Sequence, residues 1–188
     1  LVGSEMCIRD RIYDAYGSAA STSQSNNTVS LNDQAAPTIT GTTIAANNST
    51  IAVTFSEAVY DTDGGEGALE VGDFALSISG GTATVAATPS SISIDGNVYT
   101  LGLTLTGTPD GSETLTVVPS GATAIYDASA NAASTTQSNN TVSLNDQTAP
   151  TITSVTSTTN DGTYNAEDTV NITVNFSEAV TLAGGNLI

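Results

Sequence analysis

The chain has 188 residues, with 19 Asp and Glu against two Lys or Arg and no His, so its formal net charge is -17. Nucleic acids and anionic membranes are bound through Lys and Arg side chains, and a chain this acidic predicts neither partner. The single cysteine cannot form an intrachain disulfide. No apolar run approaches the roughly 18 residues that a membrane crossing needs, so no membrane span is expected.

The first eleven residues, LVGSEMCIRDR, hold the only Cys, the only Met and both Arg of the chain. Charged and apolar side chains alternate here, which excludes the basic start and apolar stretch of a signal peptide. The segment resembles the translated reading frame of a transposon-end adapter used in shotgun sequencing. Residues 1–11 are therefore left out of the fold prediction as a probable adapter artefact, and residues 12–188 contain no Lys, Arg or His at all.

A long internal repeat organises the remaining sequence. IYDAYGSAASTSQSNNTVSLNDQAAPTIT at 12–40 returns at 125–153, an offset of 113, with 24 of 29 positions identical. FSEAV at 55–59 returns at 176–180, an offset of 121. We expect the C-terminal end of one repeat at 12–36, a complete repeat at 37–146 and the N-terminal part of another at 147–188, truncated at both ends as a fragment of a longer array.

Apolar residues alternate with Ser and Thr along the complete repeat, which predicts antiparallel strands with one buried and one solvated face. The expected strands are A (37–44), B (50–56), C (73–79), D (82–94, interrupted at Pro89), E (97–106), F (113–118) and G (139–144). Whether D is one strand or two stays open. The predicted fold class is all-β: tandem immunoglobulin-like β-sandwiches of about seven antiparallel strands each. In such a sandwich the B–C, D–E and F–G loops lie at the pole where strand A begins.

Three motifs carry a family resemblance over residues 12–188. NDQ-x-APTIT, FSEAV after strand B, and YDASANAAS before the last strand together resemble the bacterial immunoglobulin-like repeats of very large secreted or surface-attached adhesins. The resemblance implies a tandem stalk, located outside the cell or on its surface, whose partners are neighbouring repeats. A surface glycan or protein would be bound through other domains. Members of this family often read D-A-x-G-N before the last strand, and DASAN and DAYGS each lack one element of that pattern.

Carboxylates are concentrated where strands end, and flexible carboxylate oxygens are the ligands that calcium prefers. The B–C loop holds six acidic residues between 57 and 73, and Glu57 and Glu178 occupy equivalent places after strand B. DTDGG at 61–65 begins like an EF-hand loop but lacks its later ligands. The competing interpretation is a solvated acidic loop. The candidate calcium ligands are Asp33, Glu57, Asp61, Asp63, Asp73, Asp127, Asp146 and Glu178.

The residue types argue against catalysis, because residues 12–188 offer no His, Cys or Lys to activate a nucleophile and no cation to stabilise an oxyanion. The expected function is a non-catalytic structural or adhesive stalk, acidic and stiffened by calcium. The alternatives are a carbohydrate- or protein-binding module of the same fold, and a spacer in a secreted enzyme.

Residues 12–188 are expected to resist trypsin even when unfolded, because trypsin cleaves after Lys and Arg and this span has neither. Mass spectrometry after digestion in urea measures this. A protease specific for Glu and Asp is the control and should cut the same sample extensively. Any tryptic cleavage within the span would contradict the sequence itself.

Overall fold

The structure is a computed structural model that describes residues 12–181 except 22, 24 and 27, together with 183–184. The adapter-like segment 1–11 lies outside the described residues. The chain divides into two compact units, residues 1–33 and 34–188. The predicted repeat boundaries at 36/37 and 146/147 stay predictions.

In the first unit, residues 12–20 form a short closed loop. Tyr13 and Ala19 make an isolated antiparallel bridge, and between them Oδ1 of Asp14 accepts the backbone N–H groups of Tyr16 and Ser18, both at 2.9 Å. Gly17 adopts a φ of 84°, a left-handed conformation that glycine takes without steric cost. An aspartate that bonds nearby backbone N–H groups in this way stabilises a turn.

Strands dominate the second unit, with one 3₁₀ turn at Val71–Asp73. The strands are β1 (Ile39–Ile44), β2 (Thr50–Phe55), β3 (Phe74–Ser79), β4 (Thr84–Val85), β5 (Ile92–Asp95), β6 (Val98–Gly102), β7 (Leu105–Thr106), β8 (Thr114–Pro119), β9 (Thr141–Ser143), β10 (Ile152–Ser157) and β11 (Ile172–Phe176). The predicted strand D is two strands, β4 and β5, and the predicted strand E also divides, into β6 and β7.

Every strand pair is antiparallel, so the all-β prediction is confirmed. One sheet has the order β1-β2-β6-β5 and another the order β3-β8-β9, while β4 pairs with β7 and β10 with β11. In the part of the chain that the structure describes, no helix has the length and apolarity needed to cross a membrane.

The core lies between the two larger sheets. Alternate residues of β2 and β6 on one side and of β3 and β8 on the other are buried and belong to one apolar cluster. Phe55, Phe74 and Tyr99 meet at its centre, with the Phe55 and Tyr99 rings edge-on at a centroid distance of 5.5 Å. The apolar residues of the period-2 pattern therefore lie between two sheets, which pack face to face in a β-sandwich-like arrangement.

The β10–β11 hairpin reproduces β1–β2 in detail. Ile152 pairs with Phe176 as Ile39 pairs with Phe55, and both hairpins shift register one residue later. At that bulge, Oγ1 of Thr153 donates to a carbonyl of β11 at 3.1 Å, as Oγ1 of Thr40 does to β2 at 3.1 Å. A bulge conserved between two copies is a specified feature of the strand pair, not a defect.

Glu113 is a fully buried carboxylate held by backbone groups. Its Oε1 accepts the N–H groups of Thr82 and Ala83, and its Oε2 accepts that of Asp110, all at 3.1 Å. Burial acts to raise its pKa, but these hydrogen bonds and that of its own N–H outweigh burial and hold the pKa below the ordinary glutamate value. Glu113 thus joins the turn before β4 to the turn before β8.

The Glu113→Gln substitution is expected to lower the Tm by several degrees, because the amide replaces an acceptor oxygen with an N–H group facing an N–H donor. Circular dichroism of thermal unfolding at neutral pH measures the change. The control is Glu66→Gln in the exposed part of the B–C loop, which should leave the Tm unchanged.

The Tm difference between wild type and Glu113→Gln should also shrink on acidification. A lowered folded-state pKa contributes stability above the unfolded-state pKa, and that contribution is lost as the pH falls through the folded-state value. A Tm difference of the same size at neutral pH and at about pH 3 would contradict a stabilising role of the ionised Glu113 carboxylate.

Candidate metal centre

The loops that were expected to share one pole lie side by side. Tyr60 of the B–C loop and Tyr126 of the F–G loop exchange two backbone hydrogen bonds, at 2.8 and 2.9 Å. The turn between β5 and β6 reaches the end of β2, where the N–H of Phe55 donates to the carbonyl of Asn97 at 3.0 Å. Acidic residues from separate loops are thereby brought to the same end of the sandwich.

Asp127 is fully buried and shapes the F–G loop. Its Oδ1 accepts the backbone N–H groups of Ser129 and Asn131 at 2.8 Å each, and its Oδ2 accepts Nδ2 of Asn131 at 2.7 Å. Burial acts to raise the pKa of Asp127, but the hydrogen bonds from Asn131 and Ser129 outweigh it and lower the pKa. Asp127 is therefore an ionised carboxylate held in one orientation.

Glu57, half-buried just after β2, is an acidic neighbour of Asp127 within the second unit. A carboxylate oxygen of Glu57 and one of Asp127 lie within 4.8 Å of each other. Two oxygens that each lie about 2.4 Å from a common calcium ion are at most roughly 5 Å apart. The spacing of this pair therefore suits two ligands of one hard cation. Asp33, predicted in the same set, is exposed and is the last residue of the first unit.

The other candidates of the B–C loop lie elsewhere. Among the described residues, Asp61, Asp63 and Asp73 do not join Glu57 and Asp127 in a group of carboxylates within 4.8 Å. Oδ2 of Asp73 accepts the N–H of Glu70 at 2.7 Å and caps the 3₁₀ turn. Burial, aided by the negative charges of Asp61 and Glu70, raises the pKa of Asp73. Asp73 therefore stabilises the local turn of the loop.

At the opposite pole, an asparagine clamp fixes the segment that follows β9. Nδ2 of the buried Asn48 donates to the carbonyl of Asn145 at 2.7 Å, and the N–H of Asn145 donates back to Oδ1 of Asn48 at 2.9 Å. Two residues later, the N–H of Gln147 donates to the carbonyl of Pro109 at 2.8 Å. Asp146 lies between these two anchors, so its backbone is held against the sandwich.

Asp146 and Glu178 form the second carboxylate pair. Oδ1 of Asp146 accepts the N–H and the hydroxyl of Thr148 at 2.7 and 2.6 Å, and these bonds, with one from Glu178, lower the pKa of Asp146. Burial, then the charge of Asp146 and the hydrogen bond between the two side chains, raise the pKa of Glu178. The pair shares a proton in acid and repels when both groups ionise.

The repeat relates Glu57 to Glu178, whereas Asp127 and Asp146 are not counterparts of each other. Glu178 follows β11 as Glu57 follows β2, and Asp146 is the counterpart of Asp33 at the offset of 113. The sequence predicted these residues from their position after strand ends. The sequence did not predict the asparagine clamp or the contacts of Glu113. The partner of Asn48 lies about a hundred residues away and those of Glu113 about thirty, and a single polar residue in a Ser- and Thr-rich turn gives no signal of so distant a partner.

No protein-family model matches the chain, and neither a curated protein nor a solved structure matches it. Its function is therefore inferred from the residues and contacts described above.

Glu178 is expected to titrate above the ordinary glutamate pKa, and Asp146→Asn should lower its pKa by removing the neighbouring charge. Carbon-detected NMR of the side-chain carboxyl groups measures both values. Because a raised pKa disfavours the ionised acid in the folded state, Glu178 costs stability as the pH rises above its unfolded-state pKa. Asp161→Asn, in the exposed loop between β10 and β11, is the control and should leave Glu178 unchanged. If the pKa of Glu178 is the same in Asp146→Asn as in the wild type, the two carboxyl groups do not interact.

Proposed function

We propose that this chain is a non-catalytic structural segment of a large bacterial extracellular or cell-surface protein, in which acidic immunoglobulin-like β-sandwiches follow one another as a stalk. The sheet orders support this fold. When β4 and β7, which pair with each other, are left unlettered and the other strands up to β9 are labelled A to G in chain order, β1-β2-β6-β5 is A-B-E-D and β3-β8-β9 is C-F-G. Those are the two sheets of a seven-stranded, constant-type immunoglobulin domain.

Structural repetition supports a tandem array. The β10–β11 hairpin has the pairing and the bulge of β1–β2. The bridge from Tyr13 to Ala19 recurs from Tyr126 to Ala132, and an aspartate inside each loop accepts two backbone N–H groups. Similar local contacts from similar sequence are what repeat proteins display along their length.

The observation that carries the proposal is the contact of Asp146 with Glu178. Asp146 belongs to the clamped end of one predicted repeat, and Glu178 follows the second strand of the next. Two acidic side chains placed together across this junction repel each other at neutral pH. No Lys, Arg or His in residues 12–188 can offset that repulsion.

A divalent cation, calcium by its preference for carboxylate oxygens, would turn this repulsion into a shared attachment. Glu57 and Asp127 offer a spacing that suits such an ion. Asp146 with Glu178 would hold another ion at the junction of the two predicted repeats. The mechanical effect is to restrict the freedom of the linker between repeats, which suits a stalk that holds an adhesive domain at a distance.

Calcium is expected to raise the Tm of the protein, and Glu57→Gln should reduce that rise. At a tenfold excess over the Kd, one site adds about 1.4 kcal/mol, and extracellular calcium sites bind at about 10⁻⁴ to 10⁻³ M. Calorimetric melting in millimolar calcium and in chelator, at equal ionic strength, measures the shift.

The matched control is Glu66→Gln, which removes the same charge from the same loop and should retain the full calcium response. Equal melting curves in calcium and chelator would remove the ion from the proposal. If calcium raises the Tm of Glu57→Gln and of Glu66→Gln equally, its effect is general screening of the acidic surface. That result would overturn the proposed site at Glu57.

A further inference from the structure

A pocket of about 360 Å³ opens beside the B–C loop. Its walls are residues 58–60 and 67–69 of that loop, with Ile94 of β5 and Tyr99 of β6. The volume lies at the small end of the roughly 300–1,000 Å³ that ligand pockets span. It has room for one large side chain.

The floor of the pocket is apolar and fixed. Val59, Leu69 and Tyr99 are buried in the core cluster, and the hydroxyl of Tyr99 donates to the carbonyl of Val59 at 3.2 Å. At the mouth, Ile94 is 46% exposed, whereas Tyr99, its pairing partner on β6, is buried. An apolar side chain entering here would cover surface that the described residues leave open to water.

Acidic residues adjoin the pocket-lining segments of the B–C loop in the sequence. Asp61 follows residues 58–60, and Glu66 and Glu70 flank residues 67–69. These three carboxylates, the acidic rim, contribute to a negative field that residues 12–188, lacking any basic side chain, do not neutralise.

Asp61 packs against Gly67, which lines the pocket. Its carboxylate lies so close to Gly67, which has a φ of 80°, that no Cβ fits at that position. Among the described residues, Oδ1 of Asp61 is buried and has no hydrogen-bond partner.

The strand beside the pocket has a free edge within the described sheet. β5 is the last strand in the order β1-β2-β6-β5 and pairs only with β6. Unpaired backbone groups on an end strand accept an extended peptide as an added strand, while a neighbouring pocket selects its side chain. Strand edge and pocket together favour a polypeptide ligand.

We propose that the pocket between β5 and the B–C loop binds an extended basic segment of another protein, with one apolar or aromatic side chain seated over Tyr99 and its flanking Lys or Arg side chains on the acidic rim. Residues 12–188 contain no Lys or Arg, so none of their own segments supplies those contacts. This proposal does not depend on calcium or on the tandem array.

The test uses three synthetic pentapeptides in chelating buffer: phenylalanine between two pairs of lysines, glycine between the same lysines, and phenylalanine between two pairs of glutamates. The first should bind about tenfold more tightly than the second, because only it buries an aromatic side chain. The third should not bind. Isothermal titration gives the affinities, and amide shifts in NMR should be confined to residues 58–60, 67–69 and 92–99.

Ala68→Phe, which fills the pocket from its exposed wall, should abolish the preference for the phenylalanine peptide, and Ile94→Ala should weaken that preference without adding bulk. Ala87→Phe adds the same ring outside the pocket and is the control. NMR spectra of each free variant establish that it is folded. Equal affinity for the two lysine peptides, or an undiminished preference in both pocket variants, would overturn the proposal and leave only general attraction of positive charge. Because chelator is present throughout, a failed calcium site would not affect this outcome.

Discussion

The structure depends on one constraint: anionic side chains must be buried and positioned without a single basic partner in residues 12–188. The chain meets it with backbone N–H groups and, at Asp127, also with the side-chain amide of Asn131. Glu113 and Asp127 are both fully buried, and both accept hydrogen bonds from uncharged N–H donors that keep their pKa values low. A buried charge with saturated hydrogen bonds fixes the geometry of the segments that supply the donors. Each of these two acids thereby orders loops that β-pairing alone does not reach.

The remaining carboxylates divide by what surrounds them. Glu113 is enclosed by its donors and serves the fold. Asp127 also shapes its loop, yet its carboxylate lies beside that of Glu57, while Asp146 lies beside Glu178. Pairs of acids place negative charge together at the poles of the sandwich, where cations from solution can reach it. The same residue type therefore has an architectural use inside the sandwich and, in the proposed function, a binding use at its ends.

Strand positions were predictable because alternation of apolar residues with Ser and Thr is a local signal. β1, β2, β3 and β8 begin and end within about two residues of the prediction. The division of strand E was not predictable, because it follows from β7 pairing with β4 instead of staying in the larger sheet. The approach of Glu57 to Asp127 followed from strand topology, whereas the bonds of Glu113 to Thr82 and Ala83 depend on side-chain packing between distant turns. Topology is encoded by pattern, and individual polar contacts are not.

The use of uncharged N–H donors in place of basic side chains determines how salt affects the folded protein. Salt weakens surface ion pairs, and residues 12–188 have none to lose, since they contain no basic side chain. The N–H bonds to Glu113 and Asp127 are enclosed within the sandwich, where dissolved ions screen them little. Ionic strength acts instead on the mutual repulsion of the exposed acids, which it relieves. A higher salt concentration therefore favours the folded state of this protein.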